Sequence, residues 1–352
     1  MSVAGEQAGM PLQVRELTAK GHAAWDAFVE RCPQATFCHR AGWQSVIERA
    51  FGHRTHFLYA ERDDGAIEGV LPLARVRSRL FGDALVSTPF CVYGGIAAAS
   101  AEAAQALDER AQALAAECGV DHLEYRHLQP RHPEWPTKDL YVTFRKPIEP
   151  DVEANMQAIP RKQRRMVRQG MKAGLSSAFE DDVDGFFRIF AQNVHRLGTP
   201  VFSKRYFAIL REVFGEDCRV LTVRSGNEPV ATVMAFYFRD EVLPYYGAGM
   251  PVARDVAGYD FLYWELMRRA CEAGYRCFDY GRSKKGTGSY SFKKNWGFEP
   301  QPLYYEFQLH RGREVPDNNP LNPKYQTAIR LWKRLPLPVA NWLGPSIVRN
   351  LG

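Results

Sequence analysis

Cys277 to Phe298 reads CFDYGRSKKGTGSYSFKKNWGF. It opens as a short strand, Cys277 to Gly281, and passes through a loop rich in lysine, arginine and glycine. It closes on Phe292-Lys293-Lys294-Asn295-Trp296-Gly297-Phe298, where aromatic residues surround a lysine pair. Carboxylate, phenol, guanidinium, flexible backbone and ammonium groups all fall within these 22 residues. A segment that only packs has little use for that mixture. A site for an anionic, phosphate-bearing substrate uses all of it, because cationic side chains pair with phosphate and aromatic walls exclude water.

Outward from this stretch the chain reads as mixed α/β. In the first half, strands are expected at Val14 to Thr18, Thr55 to Glu61, Ile67 to Val76, Ala84 to Tyr93 and His122 to Leu128. Helices are expected at His22 to Cys32, His39 to Ala50 and from the Ser100 cap to Glu117, where Gly119 ends the last one. The second half repeats the order. Helices are expected at Pro160 to Ala173, Val183 to Leu197, Lys204 to Phe214 and Gly258 to Glu272. Strands are expected at Arg219 to Arg224, Pro229 to Arg239, Val242 to Gly247, Cys277 to Gly281 and Tyr304 to Leu309. Cys118 to Arg126 aligns with Ala273 to Gly281, so that helix-ending glycine, acid and tyrosine recur. Tyr93-Gly94 and Tyr246-Gly247 recur in the same way. Two similar α/β halves are the simplest account.

The 352 residues suffice for two domains with full cores, and no apolar run approaches a bilayer span. Seven scattered cysteines without a C-x-x-C pair argue against a disulfide framework or a zinc site. Nine histidines show no metal-ligating spacing, so no metal is expected. The net charge of +6 is local: Arg161 to Lys172 holds six basic residues and no acid, and the segment after Arg311 is also basic. Both suggest an anionic partner.

The segment Pro229 to Gly249, the helix opening at Gly258-Tyr259-Asp260, the strand FDYGRS and the FKKNWGF motif together resemble the FemAB-like transferases. Within these, the pattern is most similar to the subgroup beside exosortase/PEP-CTERM exopolysaccharide systems. The resemblance implies two tandem GNAT-like domains, each a mixed central sheet flanked by helices: 10–145, then a catalytic 146–310, then a basic tail, 311–352. It implies transfer of an acyl or aminoacyl group to an amine on a phosphate- or lipid-linked cell-envelope precursor, in the cytoplasm or peripherally at the inner face of the membrane. In the family the donor is aminoacyl-tRNA, and the lysine of the Phe-Lys motif contacts the acceptor's phosphates; Lys293 occupies that place. No cofactor beyond the acyl donor is implied. Two alternatives stand beside this reading: an acyl-CoA-dependent N-acyltransferase acting on an amino sugar, and a non-catalytic precursor-binding assembly factor. The R/Q-x-x-G-x-G/A string that cradles the CoA pyrophosphate is missing from both halves.

Candidate catalytic residues are Asp279, Tyr280 and Lys293. A carboxylate can take the proton of the attacking amine, and a phenol can donate to the oxyanion or leaving group. The other reading of Asp279 is a loop cap paired with Arg282. Candidate substrate-binding residues are Arg282, Lys284, Lys294 and Trp296, together with Tyr245, Tyr246 and Gly247, where a GNAT sheet splays to admit its donor. Arg161 and Arg165 join them on a helix stripe with Arg164, Arg168 and Lys172, spanning about 100°, expected to border a cleft between the halves. Met166, Val167 and Met171 should face the core. His195 reads as a helix C-terminal histidine. In the tail, Lys324 to Leu335 has helical spacing, and two roles are open: a strap packed on the domains, which the narrow polar face favours, or a membrane-interface helix.

Overall fold

The computed structural model describes residues 12–78, 81–311, 314–315 and 323–351. They form two compact units, one from the described residues of 1–48, 53–136 and 306–314, the other from those of 49–52, 137–305 and 315–352.

The first unit is built on a sheet in the order Leu12–Glu16, Arg54–Arg62, Ile67–Ser78, Gly82–Ser87, His122–His127, Tyr304–Leu309. The first four strands run antiparallel. Gly82–Ser87 and His122–His127 are parallel, pairing Ala84 with His122 and Leu85 with Leu123. A parallel pair needs a crossover, and the helix Ala101–Cys118 supplies it. The Ser100 side chain accepts from the Ala103 N–H at its start, and Gly119 ends it in the left-handed region at φ 61°. Leu107, Ala111, Leu114 and Ala115 form its buried face and pack on Leu58, Leu71, Leu73, Leu85 and Leu123.

The second unit repeats the plan with other lengths. Its sheet runs Ser283–Lys284, Tyr141–Pro147, Cys277–Asp279, Glu241–Gly249, Glu228–Phe238, Cys218–Ser225, Leu175–Glu180. Only Glu241–Gly249 and Cys277–Asp279 are parallel, joined by the helix Gly258–Glu272. Gly274, at φ 85°, turns the chain back toward the sheet as Gly119 does in the first unit. Helix, glycine and parallel strand thus recur at the place where the two sequences align. The helix Arg161–Lys172 lies on Gly258–Glu272 so closely that a β-carbon on Gly170 would stand 2.8 Å from that of Phe261.

Helices Val183–Leu197, Lys204–Phe214 and Gly258–Glu272 have the expected bounds. Differences have local causes. The strand expected over Ala84 to Tyr93 ends at Ser87, because Thr88 and Phe90 take positive φ in a turn. Strands Tyr141–Pro147 and Leu175–Glu180 and helix Gly288–Asn295 were not expected. The described residues of 306–314 cluster with the first unit, and Thr137–Pro147 with the second, where Tyr141–Pro147 pairs three strands. Met171 is 42% exposed and leaves Val167 and Gly170 to face the core.

The tail is helical over Pro323–Trp332 and Leu337–Val348. The side chains of Lys324 and Tyr325 lie outside the described residues. No described helix is long and apolar enough to cross a membrane.

Candidate active site

The parallel pairing in the second unit covers only Glu241 with Cys277 and Val242 with Phe278. Beyond these the two strands part. On its other side Glu241–Gly249 keeps antiparallel pairing with Glu228–Phe238, but the register slips: Ala235 faces Pro244 and Met234 faces Tyr246. Tyr245 is therefore the extra residue of a β-bulge, which bends the strand and frees a residue from the ladder. Helix Gly258–Glu272 reaches under this strand. The Tyr263 hydroxyl lies 2.3 Å from where a β-carbon on Gly247 would stand, and the Tyr259 ring 2.7 Å from that on Gly249. Both positions need glycine for that close approach.

The departing strand ends in the turn Asp279-Tyr280-Gly281-Arg282. Asp279 is buried, and its carboxylate accepts from the Gly281 N–H at 2.7 Å and lies 3.6 Å from the Arg145 guanidinium. Asp279 thus caps the turn, as in its second reading, but its charge partner is Arg145 and not Arg282. The carboxylate is committed to the turn and to Arg145.

Lys293 lies on helix Gly288–Asn295, which Thr287 caps by accepting from the Tyr290 N–H. Its ammonium donates to the carbonyls of Tyr280 at 2.7 Å, Gly281 at 2.9 Å and Arg282 at 3.0 Å. An ammonium has three N–H donors. All three are used, so the phosphate contact implied by the family resemblance has no donor left in this arrangement. Burial pushes its pKa down from 10.5 to about 7, against the pull of Asp279 and with the help of Arg282. Here Lys293 is a positioning residue for the turn.

Tyr280 packs against Tyr263, Phe278 and Phe298 at ring distances of 4.9, 4.9 and 4.7 Å. Its hydroxyl is buried and, among the described residues, has no hydrogen-bond partner. Burial, with Tyr263 and Asp260 nearby, holds its pKa well above the ordinary phenol value, so it stays a neutral O–H donor.

Arg282 is half-buried among phenols. Its guanidinium lies 4.6 Å from the Tyr141 ring centre and 5.7 Å from that of Tyr305, and it donates to the Tyr305 hydroxyl at 3.0 Å. Burial would lower its pKa, but Tyr305, Tyr141 and Tyr245 hold it above its ordinary value. Among the described residues no carboxylate pairs with it, which leaves most of its donor fork for an anion. The Lys284 ammonium shares the Tyr141 ring at 5.9 Å.

Other expected site residues lie elsewhere. Trp296 is fully buried and donates its single N–H to Asp260 at 3.0 Å, so it has no donor left for a substrate. Tyr246 points into a core of Phe190, Phe202, Phe207 and Phe236, with its hydroxyl 2.6 Å from that of Tyr206. Lys294 is exposed beside the Tyr290 ring. Arg161 and Arg165 are exposed and, among the described residues, have no ion-pair partner. His195 closes its helix near the Trp332 carbonyl at 3.2 Å. Three structural contributors were not anticipated: Tyr141, Tyr263 and Asp260. The last accepts from both Trp296 and Gln163, pinning three helices, and burial raises its pKa. Only the position of Asp260 at a helix start marked it in the sequence.

Residues 156–294 match the family model for an acetyltransferase (GNAT) domain. The fold is that of tandem GNAT domains. FemX superposes with a TM-score of 0.65 at 15% identity, over 90% of this chain and all of FemX. L-PGS from Bacillus licheniformis superposes with a TM-score of 0.57 at 12% identity, over 94% of this chain and all of that one. A tandem GNAT protein from the clavulanic acid biosynthesis pathway gives 0.50 at 14% identity, over 87% of this chain and all of its own. No curated protein matches the sequence.

Proposed function

We propose that this chain is a FemAB-like N-acyltransferase that moves an aminoacyl or acyl group to an amine on a phosphate-bearing cell-envelope precursor, in keeping with an exosortase/PEP-CTERM exopolysaccharide setting. The observation that carries this reading is the parting of two parallel strands after Val242 and Phe278, with the Tyr280 hydroxyl and the Arg282 guanidinium at the end of the strand that leaves. The parted strands admit an acyl donor alongside Glu241–Gly249. The acceptor amine, once neutral, attacks the acyl carbon. A C–N bond forms, the ester or thioester bond breaks, and the amine proton ends on the leaving oxygen or sulfur. Tyr280 donates its O–H to the charge that develops on the carbonyl or leaving atom. Arg282, stacked on Tyr141, holds the acceptor's phosphate. Asp279 and Lys293 fix the turn that carries both. No base is required if the amine arrives neutral and well placed.

Acetyl-CoA as donor is a second reading, favoured by the GNAT domain match over 156–294. Asp260 argues the other way. It puts a carboxylate in the first turn of Gly258–Glu272, where a pyrophosphate would need exposed amides and no like charge.

The test offers the purified protein labelled aminoacyl-tRNA and labelled acetyl-CoA in separate reactions, with an extracted pool of phosphate-bearing envelope precursors. Label should pass from aminoacyl-tRNA into a base-stable amide. Passage from acetyl-CoA would select the second reading, and no passage from either would sink both.

A further inference from the structure

The C-terminal helix has two faces. Ala340, Gly344 and Val348 recur every fourth residue and are buried. A β-carbon on Gly344 would stand 2.8 Å from the Val201 carbonyl oxygen, so this face lies against the backbone of its own unit. The preceding helix is held too: Ile329 and the Lys333 stem cover Gly198. The tail is a strap on its inner side.

The outer side is another matter. Trp342 is 77% exposed, Leu331 60% and Val339 39%. On the helix Trp342 sits about 200° from Ala340, opposite the buried stripe, with Val339 about 60° to one side of it and exposed Pro338 about 40° to the other. Exposing an indole forfeits most of its hydrophobic gain on folding. The charges flanking these residues have one sign. From Pro323 to Gly352 the sequence holds Lys324, Arg330, Lys333, Arg334 and Arg349 and no acidic residue. Arg330, Lys333 and Arg334 are exposed, and no carboxylate among the described residues pairs with them.

We infer that Trp342, Val339 and Leu331 form a docking surface for an anionic lipid bilayer, with the indole at the headgroup level and Arg330 and Arg334 against lipid phosphates. A protein partner would meet the apolar patch with an apolar patch, and cations without acids among them would be left beside it. An anionic membrane satisfies both at once. This inference does not depend on the acyl-transfer reading, since the surface is made by the tail alone.

The experiment is co-sedimentation of the full chain with vesicles of phosphatidylcholine alone and with 30% phosphatidylglycerol added (about physiological anionic content), at low and high salt. Wild type should sediment with the anionic vesicles at low salt only. Trp342→Ser with Leu331→Ser should cut the bound fraction about tenfold, and Arg330→Ser with Arg334→Ser comparably, with unchanged melting temperatures, because none of these side chains is buried. Wild type remaining in the supernatant, or the apolar double variant sedimenting equally, overturns the inference. A wild-type dimer that Trp342→Ser converts to a monomer, without vesicle binding, assigns the patch to a second copy and overturns it as well.

Discussion

Lys293 holds Tyr280 by its backbone: the ammonium donates to the Tyr280 carbonyl at 2.7 Å and leaves the tyrosine's own hydroxyl free. The lysine also takes the next two carbonyls, so one side chain fixes the turn from which both proposed functional groups extend. Lys293→Met keeps the stem and orphans three carbonyls, at a cost of about 1–3 kcal/mol for each that stays buried and unpaired. The pH dependence has a definite sign. The folded pKa of about 7 lies below the ordinary 10.5, so unfolding takes up a proton between these values. Stability contributed at this position therefore rises with pH across that window. Melting curves from pH 6 to 10 should show wild type gaining on Lys293→Met as pH rises. A constant difference would mean the lysine titrates normally.

Tyr280→Phe separates chemistry from folding. Its hydroxyl has no partner to lose, so the melting temperature should hold or rise. If that O–H donates to the developing charge, turnover should fall about 100-fold or more. Unchanged turnover would remove Tyr280 from the mechanism.

Arg282→Lys keeps the charge but loses the planar fork and the stacking on Tyr141. The Michaelis constant for a phosphate-bearing acceptor should rise about tenfold with little change in melting temperature. Competition by inorganic pyrophosphate, titrated against both proteins, gives a second measure. Equal inhibition of the two would remove Arg282 from phosphate binding.

Gly247→Ala drives a methyl group to within 2.3 Å of the Tyr263 hydroxyl. A loss of about 1–3 kcal/mol is expected in urea unfolding. Tyr263→Phe should restore much of it, since the nearest ring carbon lies at 3.3 Å. Additive effects in the double-mutant cycle would show that the pair does not meet.

Glu306 should make the first unit sensitive to acid. Its buried carboxylate accepts from the Arg131 and His132 N–H groups at 2.8 and 3.1 Å and faces His127 at 3.2 Å. Against the effect of burial, these contacts hold its pKa below the ordinary value. Its contribution is therefore present above the ordinary carboxylate range and lost as pH falls through the lowered value. Glu306→Gln should cost about 1–3 kcal/mol near pH 7 and flatten the acid limb of a stability profile. An unchanged acid limb would place the sensitivity elsewhere.

Much of this fold was legible in the sequence, because its helices carry their own punctuation. Ser100 and Gly119 are caps whose chemistry acts locally, and the aligned glycine–acid–tyrosine segments marked the recurring parallel strand. Leu175–Glu180 escaped because an edge strand half open to solvent, with two serines, lacks an apolar signature. Gly288–Asn295 escaped because its polar residues hide a Thr287 cap. The site was legible as a neighbourhood and misread in its parts. Lysine and aspartate are groups that bind phosphates and move protons, and tryptophan is a group that walls off a ligand. They are also the groups that tie down a buried turn, and only three-dimensional partners decide which. Arg282 differs in that it stacks on Tyr141 and has no carboxylate partner among the described residues. Tyr141 itself lies more than a hundred residues upstream, beyond the reach of any local pattern.

The strand Tyr304–Leu309 has a consequence in time. It closes the edge of the first unit's sheet beside His122–His127 and carries Glu306 to its partners, yet the second unit's chain from 137 to 305 is made before it. At ribosomal speeds the wait between Pro136 and Glu306 is about 10–30 s. Through that interval His127 lacks the Glu306 carboxylate, and the His122–His127 edge is without Tyr304–Leu309. Amino-terminal fragments ending near Pro136 should therefore be prone to edge-to-edge association. Every strand of the second unit's sheet is thus made before the strand that completes the first.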